Sequence, residues 1–464
     1  MSRTSSGAVQ KTALAAAIAS SFIIISLRRR WRRLEHNSEP SQRGPSISSY
    51  EALIGSTPLV KLTKLSGLLG KGREIYVKME CMNPGGTGKD RAALRMIQDA
   101  ERCGALPPPL DPSIPLQQSR ATTTYDDNDT SSHKDEGENG EDSSKPNVAI
   151  DESISLAIAR SQTGGIVVEG TSGSTGISIA SLCAVRGHAA IVVMPDDQAK
   201  EKRALLNCLG AVVHVVPNAA ISNPNQYVNV ARRIADRIND RCNSARIKAA
   251  FTNQFENLSN YSVHLEWTGP ELWSQAMGKL DAFVMSSGTG GTISGVGRYL
   301  KSRSPFVRVV LVDPPGSALY SKVKYGVAYA SEQSERALKR HRYDTLAEGI
   351  GLDRVTANFA MGCDTCAIDD AIQISDQEAV DMAHWLLREE GIFVGSSSAM
   401  NVAGAVRVAS SMPPDSRTVT VICDGGQRHV SRFWNKKFIT EWGCSWPVSG
   451  GNRRLPDCIE SIVS

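Results

Sequence analysis

Two glycine- and hydroxyl-rich turns constrain this chain more than any other feature. Thr171-Ser172-Gly173-Ser174-Thr175-Gly176 and Ser287-Gly288-Thr289-Gly290-Gly291-Thr292 each separate a short apolar run from a helix-like run. A turn of that composition exposes backbone N–H groups at a helix N-terminus, where the helix dipole favours an anion. The surrounding pattern repeats the same unit. Ile166–Val168 reads as a strand, Gly176–Val185 as a helix, Ala189–Met194 as a strand, Gln198–Leu209 as a helix and Ala211–Val216 as a strand. Ala282–Met285 and Val307–Val312 are further apolar strands with a helix between them, starting near Ile293, and Val419–Cys423 closes the series. Strands this apolar, alternating with helices, predict an α/β fold of parallel sheet covered on both faces.

A third glycine-rich stretch, Asn83-Pro84-Gly85-Gly86-Thr87-Gly88-Lys89-Asp90-Arg91, holds one lysine at the start of a predicted helix, Asp90–Arg102. A charged lysine there conflicts with the helix dipole, and a neutral one does not. One lysine beside flexible glycines, plus two loops of small hydroxyl and glycine residues, is what pyridoxal phosphate (PLP) needs. The amine forms a Schiff base with the cofactor aldehyde, and loop N–H groups point at the phosphate.

In these motifs the chain resembles the cysteine synthase/cystathionine β-synthase family of PLP enzymes from about Ser46 to Phe438. The family pattern reads N-P-x-G-S-x-K-D-R, T-S-G-N-T-G, Q-F-x-N, G-T-G-G-T, G-I-G and G-x-S-S-G. Its counterparts here begin at Asn83, Thr171, Gln254, Gly288, Gly349 and Gly395. The resemblance implies a two-domain fold-type II enzyme with PLP in the interdomain cleft. A smaller domain would span about 83–257, and a larger one 46–82 and 258–438. Lys89 would carry PLP and act as the proton-transfer base. Gly288, Thr289, Gly290, Gly291 and Thr292 would hold the phosphate. Thr171, Ser172, Gly173, Thr175 and Gln254 would bind the substrate carboxylate. Ser397 would meet the pyridine nitrogen, where a neutral hydroxyl suits β-elimination. Ser174 stands where the family has an asparagine on the cofactor phenol, and it reaches less far. Ala399 replaces a glycine, and Leu352-Asp353-Arg354 does not match the family. The implied reaction is replacement of the acetate of O-acetylserine by sulfide, giving cysteine, in a homodimer. Cystathionine β-synthase and serine/threonine dehydratase are the rival activities. A membrane-tethered scaffold that lost turnover is the rival of another class.

A net charge of +4, part of it in the single cluster Arg28–Arg33, gives no case for nucleic-acid binding. Ten cysteines are scattered, which reads as free thiols in a reducing compartment. Cys363-x-x-Cys366 lacks the further ligands zinc would want, so no metal is expected. Thr12–Leu27 is apolar and is followed by the arginines. That order points to a membrane anchor with the rest of the chain cytosolic. It resembles a signal anchor of the mitochondrial outer membrane, with an endoplasmic reticulum anchor or a matrix presequence as alternatives. Residues 1–45 are thus anchor and linker, and 439–464 a C-terminal tail. Pro107–Asn147 is acidic and proline-led, and it lacks Val, Ile, Leu, Met, Phe and Trp from Gln118 onward. It is expected to be a disordered insertion in a surface loop.

Overall fold

Runs of valine and isoleucine form the strands. In the computed structural model, which describes residues 49–111, 145–241, 246–329, 345–447, 456–457 and 459–460, ten strands fall into two sheets. The larger contains β1 (Leu59–Lys61), β2 (Glu74–Lys78), β7 (Ala282–Ser286), β8 (Arg308–Asp313), β9 (Asp370–Gln373) and β10 (Arg417–Val421), in the order β1-β2-β10-β7-β8-β9. The smaller contains β3 (Gly165–Gly170), β4 (Ala189–Pro195), β5 (Val212–Val216) and β6 (Lys248–Phe251), in the order β5-β4-β3-β6. Every pairing is parallel, as the expectation of parallel sheets has it, except β1 with β2 at one edge. A short edge strand can return antiparallel because its outer side needs no partner.

Helices cover both faces of each sheet. Around the smaller one, Ile177, Leu182, Val192 and Leu206 make one core, and Ile154, Ile191, Ile234 and Ile238 the other. In the larger lobe the Ser396–Ser411 helix is buried along Ala399, Met400, Val402, Ala403 and Val406. The fully buried Ala399 shows that a methyl group is accommodated where the family pattern has glycine.

The strand orders place the site. In the smaller sheet the chain runs from β3 outward through β4 and β5 on one side and reaches β6 on the other. In the larger it runs from β7 through β8 and β9, with β10 and β2 on the opposite side. Each sheet therefore has a switch point, at β3/β6 and at β7/β10, where loops leave the carboxyl ends in opposite directions and open a crevice. The loops after these four strands carry Thr171–Thr175, Gln254, Gly288–Thr292 and Cys423-Asp424.

Three boundaries differ from expectation. Residues 107–111 pack instead of belonging to a free insertion: the Leu110 amide bonds the Arg186 carbonyl, and the Leu110 side chain fills the space beside Gly187. The chain is described again from Lys145, which opens the unforeseen helix Lys145–Arg160. Past Phe438, Ile439 and Ile459 are core residues, so the segment set apart as a tail contributes to the larger lobe. The expected anchor at 12–27 and residues 112–144 lie outside the described residues. Among the described residues no helix is long and apolar enough to cross a membrane.

Candidate active site

A buried ionic network fixes the Lys89 loop. Glu80 follows β2, and Arg91 sits in the first turn of the Lys89–Arg102 helix. Arg91 Nε donates to Glu80 Oε2 at 2.8 Å, and Arg91 Nη1 to Glu271 Oε2 at 2.9 Å. Burial would raise the Glu80 carboxyl, but the Arg91 guanidinium overrides it and holds it at about 2. Thr87 bridges Asp424, and the Gly88 amide reaches the Cys423 carbonyl at 3.4 Å. The loop is thereby laid across the end of β10. Lys89 opens its helix as predicted, one residue earlier than the Asp90 start expected, and its side chain lines a cavity of about 200 Å³.

Three helices begin at this cavity: Ser174–Arg186, Gly291–Arg303 and Ser396–Ser411. None has a side-chain cap. Their first amides have no acceptor among the described residues, and the ladders start at Ile177, Ser294 and Ala399. Uncapped N-termini at a cavity wall are sites for an anion.

Around the Gly291–Arg303 helix the fit is tight. Gly290 has φ +89°, and a Cβ there would lie 2.6 Å from the Phe359 backbone. A Cβ on Gly288 would lie 2.0 Å from the Gly349 carbonyl oxygen. Asn260 Nδ2 donates to Thr289 Oγ1 at 2.8 Å, and Thr356 Oγ1 donates to the Thr289 carbonyl at 2.7 Å. The Thr289 hydroxyl, already accepting from Asn260, keeps its own proton for the cavity that it lines.

The Thr171–Thr175 loop is held differently. Thr171 Oγ1 accepts from the Gly173 amide at 3.2 Å. Thr175 Oγ1 donates to Gln254 Oε1 at 2.6 Å, and Gln254 Nε2 donates to the Gly170 carbonyl at 3.2 Å. The Gln254 side chain thus braces the loop from behind while also lining the cavity. Glu169, fully buried on β3, accepts from Thr252 Oγ1 at 2.5 Å, and burial lifts it to about 7 against that hydrogen bond. Ser172 and Ser174 line the same cavity.

At the Ser396–Ser411 helix, Ser396 Oγ accepts from the Glu348 amide at 3.2 Å and Ser398 Oγ from the Cys423 amide at 2.9 Å. Both neighbours are committed to the backbone, and Ser397 is the serine at the cavity. The structure therefore brings together Lys89, Thr171, Ser172, Ser174, Thr175, Gln254, Gly288, Thr289, Gly290, Thr292 and Ser397 as lining residues. Gly173 and Gly291 contribute backbone at two of the helix starts. Cys363 and Cys366 are free thiols elsewhere, and no cluster of metal-ligating side chains occurs among the described residues.

Several lining residues escaped the sequence reading. Lys202 and Glu348 form a buried ion pair between the lobes, with Arg432 Nε 3.0 Å from Glu348 Oε1. Asp424 pairs with His429 Nε2 at 2.9 Å. Burial, foremost, pushes the adjacent Cys423 thiol up to about 12. The available signals were Glu348 directly before Gly349-Ile350-Gly351, and Asp424-Gly425-Gly426 directly after an apolar strand.

Comparison with known proteins agrees with this geometry. The family described as pyridoxal-phosphate dependent enzyme matches residues 50–107 and 127–424. Cysteine synthase 2 of Schizosaccharomyces pombe is 41% identical over 415 residues, covering 89% of this chain and 90% of that protein. The putative mitochondrial cysteine synthase of Saccharomyces cerevisiae is 41% identical, covering 83% of this chain and 84% of that one. The crystal structure of O-ureido-L-serine synthase superimposes with a TM-score of 0.60 at 27% identity, covering 84% of this chain and 95% of that one. With its lysine, its uncapped helix starts and these relatives, the chain belongs to the pyridoxal-phosphate dependent enzymes, within the cysteine synthase/cystathionine β-synthase family.

Proposed function

We propose that the chain is a PLP-dependent cysteine synthase that replaces the acetate of O-acetyl-L-serine with sulfide, giving L-cysteine. One observation carries this reading: Lys89 opens on the same cavity as the uncapped N-termini of the Ser174, Gly291 and Ser396 helices. The residues fit the cofactor. The loop Gly288–Thr292 offers bare amides and the Thr289 hydroxyl to a phosphate, Lys89 offers an amine to the aldehyde, and Ser397 a neutral hydroxyl to the ring nitrogen. When bound, PLP supplies an electron sink for the carbanion that forms at the substrate Cα.

The chain's own groups do the rest. The amides and hydroxyls of Thr171–Thr175 orient the substrate carboxylate, with Gln254 fixing Thr175. Lys89 Nζ takes the proton from the substrate Cα and returns it after sulfide has added. Ser174 offers its hydroxyl to the cofactor phenol. Cystathionine β-synthase or dehydratase activity is the second reading, because the mouth of the cavity departs from the family pattern at Leu352-Asp353-Arg354, which line it. Lys89→Ala should abolish turnover by a factor of about a thousand or more. Borohydride treatment of the parent should fix the cofactor on the Lys89 peptide, and a label on another lysine would overturn the assignment.

The proposal extends to location and assembly. Residues 12–27 anchor the protein in the mitochondrial outer membrane with the catalytic region in the cytosol. The apolar run followed by Arg28–Arg33 supports this, and the relative named mitochondrial supports the organelle. Protease added to intact mitochondria should digest the catalytic region, whereas protection with a shortened N-terminus would establish a cleaved presequence. The working unit is a homodimer, which sedimentation of the protein in mild detergent would test.

A further inference from the structure

The Ser259–Val263 helix continues into a π-helical turn, His264–Thr268, before the next helix begins at Gly269. Such wide turns sit frequently at functional places. Here the turn packs against the Gly291–Arg303 helix, whose start faces the cavity. His264 Nδ1 lies 2.9 Å from Thr268 Oγ1, and His264 Nε2 lies 3.1 Å from Thr292 Oγ1. Thr268 is fully buried and His264 is 2% exposed, so water does not compete for these contacts. Thr292 alone of the three lines the cavity.

Burial holds the His264 imidazole down at about 3; Glu80 opposes the shift, and Lys89 and Arg91 add to it. The ring is therefore neutral, with one N–H to give and one nitrogen that accepts. Two arrangements satisfy the pair of distances. If Nδ1 carries the proton, Nε2 accepts from the Thr292 hydroxyl, and Thr292 turns only lone pairs toward the cavity. If Nε2 carries the proton, Thr292 accepts it and its own O–H is free to donate into the cavity, while Thr268 donates to Nδ1. Anything negative at the start of the Gly291–Arg303 helix repels the first arrangement and is bound by the second.

We propose that Thr268, His264 and Thr292 form a one-way hydrogen-bond relay that aims the Thr292 hydroxyl at the cofactor phosphate. It makes Thr268, which touches neither cofactor nor substrate, a positioning residue for PLP. The proposal rests on the PLP reading given above. It goes beyond it by fixing a tautomer and a direction. Each donor in the line polarises the next, so the last hydroxyl binds the anion more tightly than an isolated one.

The test is titration of the full-length apoprotein with PLP, following the cofactor absorbance. Thr268→Val removes the first hydroxyl with little change of shape and should weaken PLP binding about three- to tenfold. Thr268→Ser restores the hydroxyl and should bind as the parent does. In the Thr292→Val background, Thr268→Val should have no further effect, because the relay has lost its end. A Thr268→Val protein with parental affinity, or an equal loss in the Thr292→Val background, overturns the relay. Should Thr268→Val not fold, nitrogen-15 NMR of the histidines in the unsubstituted holoenzyme decides. A proton on His264 Nε2 supports the relay and one on Nδ1 overturns it. A parent that binds no PLP overturns the functional reading instead, so the two failures are distinct.

Discussion

The two anion loops stand on matching ground and are built differently. Each leaves a parallel strand at a switch point and begins a helix with bare amides. The loop Gly288–Thr292 is closely held: Asn260, Thr356 and His264 hold its threonines, and a Cβ on Gly288 or Gly290 would run into neighbouring backbone. The loop Thr171–Thr175 has one long-range side-chain brace, Gln254, beside the Thr171 amide on the Val193 carbonyl, and its closest neighbour at Gly173 is the side chain of Lys202. A rigid cradle suits a group that stays through every turnover. A looser one suits a substrate that must enter and leave. The difference fits the proposed placement of the phosphate in the larger lobe and the substrate carboxylate in the smaller.

A pair of glycine substitutions tests this assignment with the largest effect. A Gly290→Ala methyl would meet the Phe359 backbone at 2.6 Å, at φ +89°. Backbone strain and the clash together cost about 3 kcal/mol or more, so PLP affinity should fall about a hundredfold or more. Gly173→Ala, at φ +126°, is strained as well, but its methyl meets the side chain of Lys202 instead of backbone. It should raise the KM for O-acetylserine about tenfold and leave PLP affinity near parental. Titration of both apoproteins with PLP, alongside steady-state kinetics, would show whether the effects are interchanged, which would break the comparison.

Ser174→Ala sharpens it further. Ser174 begins the smaller-lobe helix and lines the cavity. Losing one hydrogen bond to the cofactor should slow acetate release by about 1–2 kcal/mol. A parental rate of acetate release in rapid-mixing experiments would remove Ser174 from the site.

How much was legible beforehand follows the same division. The strands and helices that lead into both loops could be read because a β-branched run ending in Gly/Thr is a local signal. Ile166–Val168 became Gly165–Gly170, and the helix expected near Ile293 begins at Gly291. What braces the loops could not be read. Asn260 and Thr356 reach Thr289 from positions 29 and 67 residues away. Lys202 and Glu348 meet across 146 residues. Nothing local distinguishes these side chains from surface ones, because their roles exist only once the sheets have formed. The antiparallel return of β1 was missed for the same reason. Leu59–Lys61 is too short to carry a period.

A smaller effect is expected from pH. Glu169, behind the Thr171 loop, titrates at 4.5 in an ordinary setting and at about 7 here, chiefly because it is buried. Between those values the folded protein keeps a proton that the unfolded chain has lost. Its contribution is therefore fully present below 4.5 and is lost as pH rises through about 7. Glu169→Gln should flatten that part of the stability curve. Thermal unfolding of parent and variant between pH 4.5 and 8 measures it, and parallel curves would show that Glu169 does not titrate in this range.

The smallest effect should come from replacing residues 112–144 with a short Gly/Ser connection. The flanking described residues are held at one end of the smaller sheet. Leu110 packs beside Gly187, which precedes β4, and Pro107 packs beside Gly165, which begins β3. Both lie at the amino ends of the strands, whereas the loops carrying Thr171–Thr175, Gln254, Gly288–Thr292 and Cys423-Asp424 leave carboxyl ends. From Gln118 to its end the replaced segment contains no Val, Ile, Leu, Met, Phe or Trp, so that stretch has little to bury in a core. The cut must spare residues 107–111 and the helix from Lys145, because removing these would strip packing from the smaller sheet. PLP affinity and the KM for O-acetylserine should then both equal those of the parent. A changed KM with unchanged PLP affinity would place the insertion's influence on the looser loop alone. A fall in PLP affinity would mean that the rigid cradle depends on residues 112–144, and the contrast between the two loops would fail.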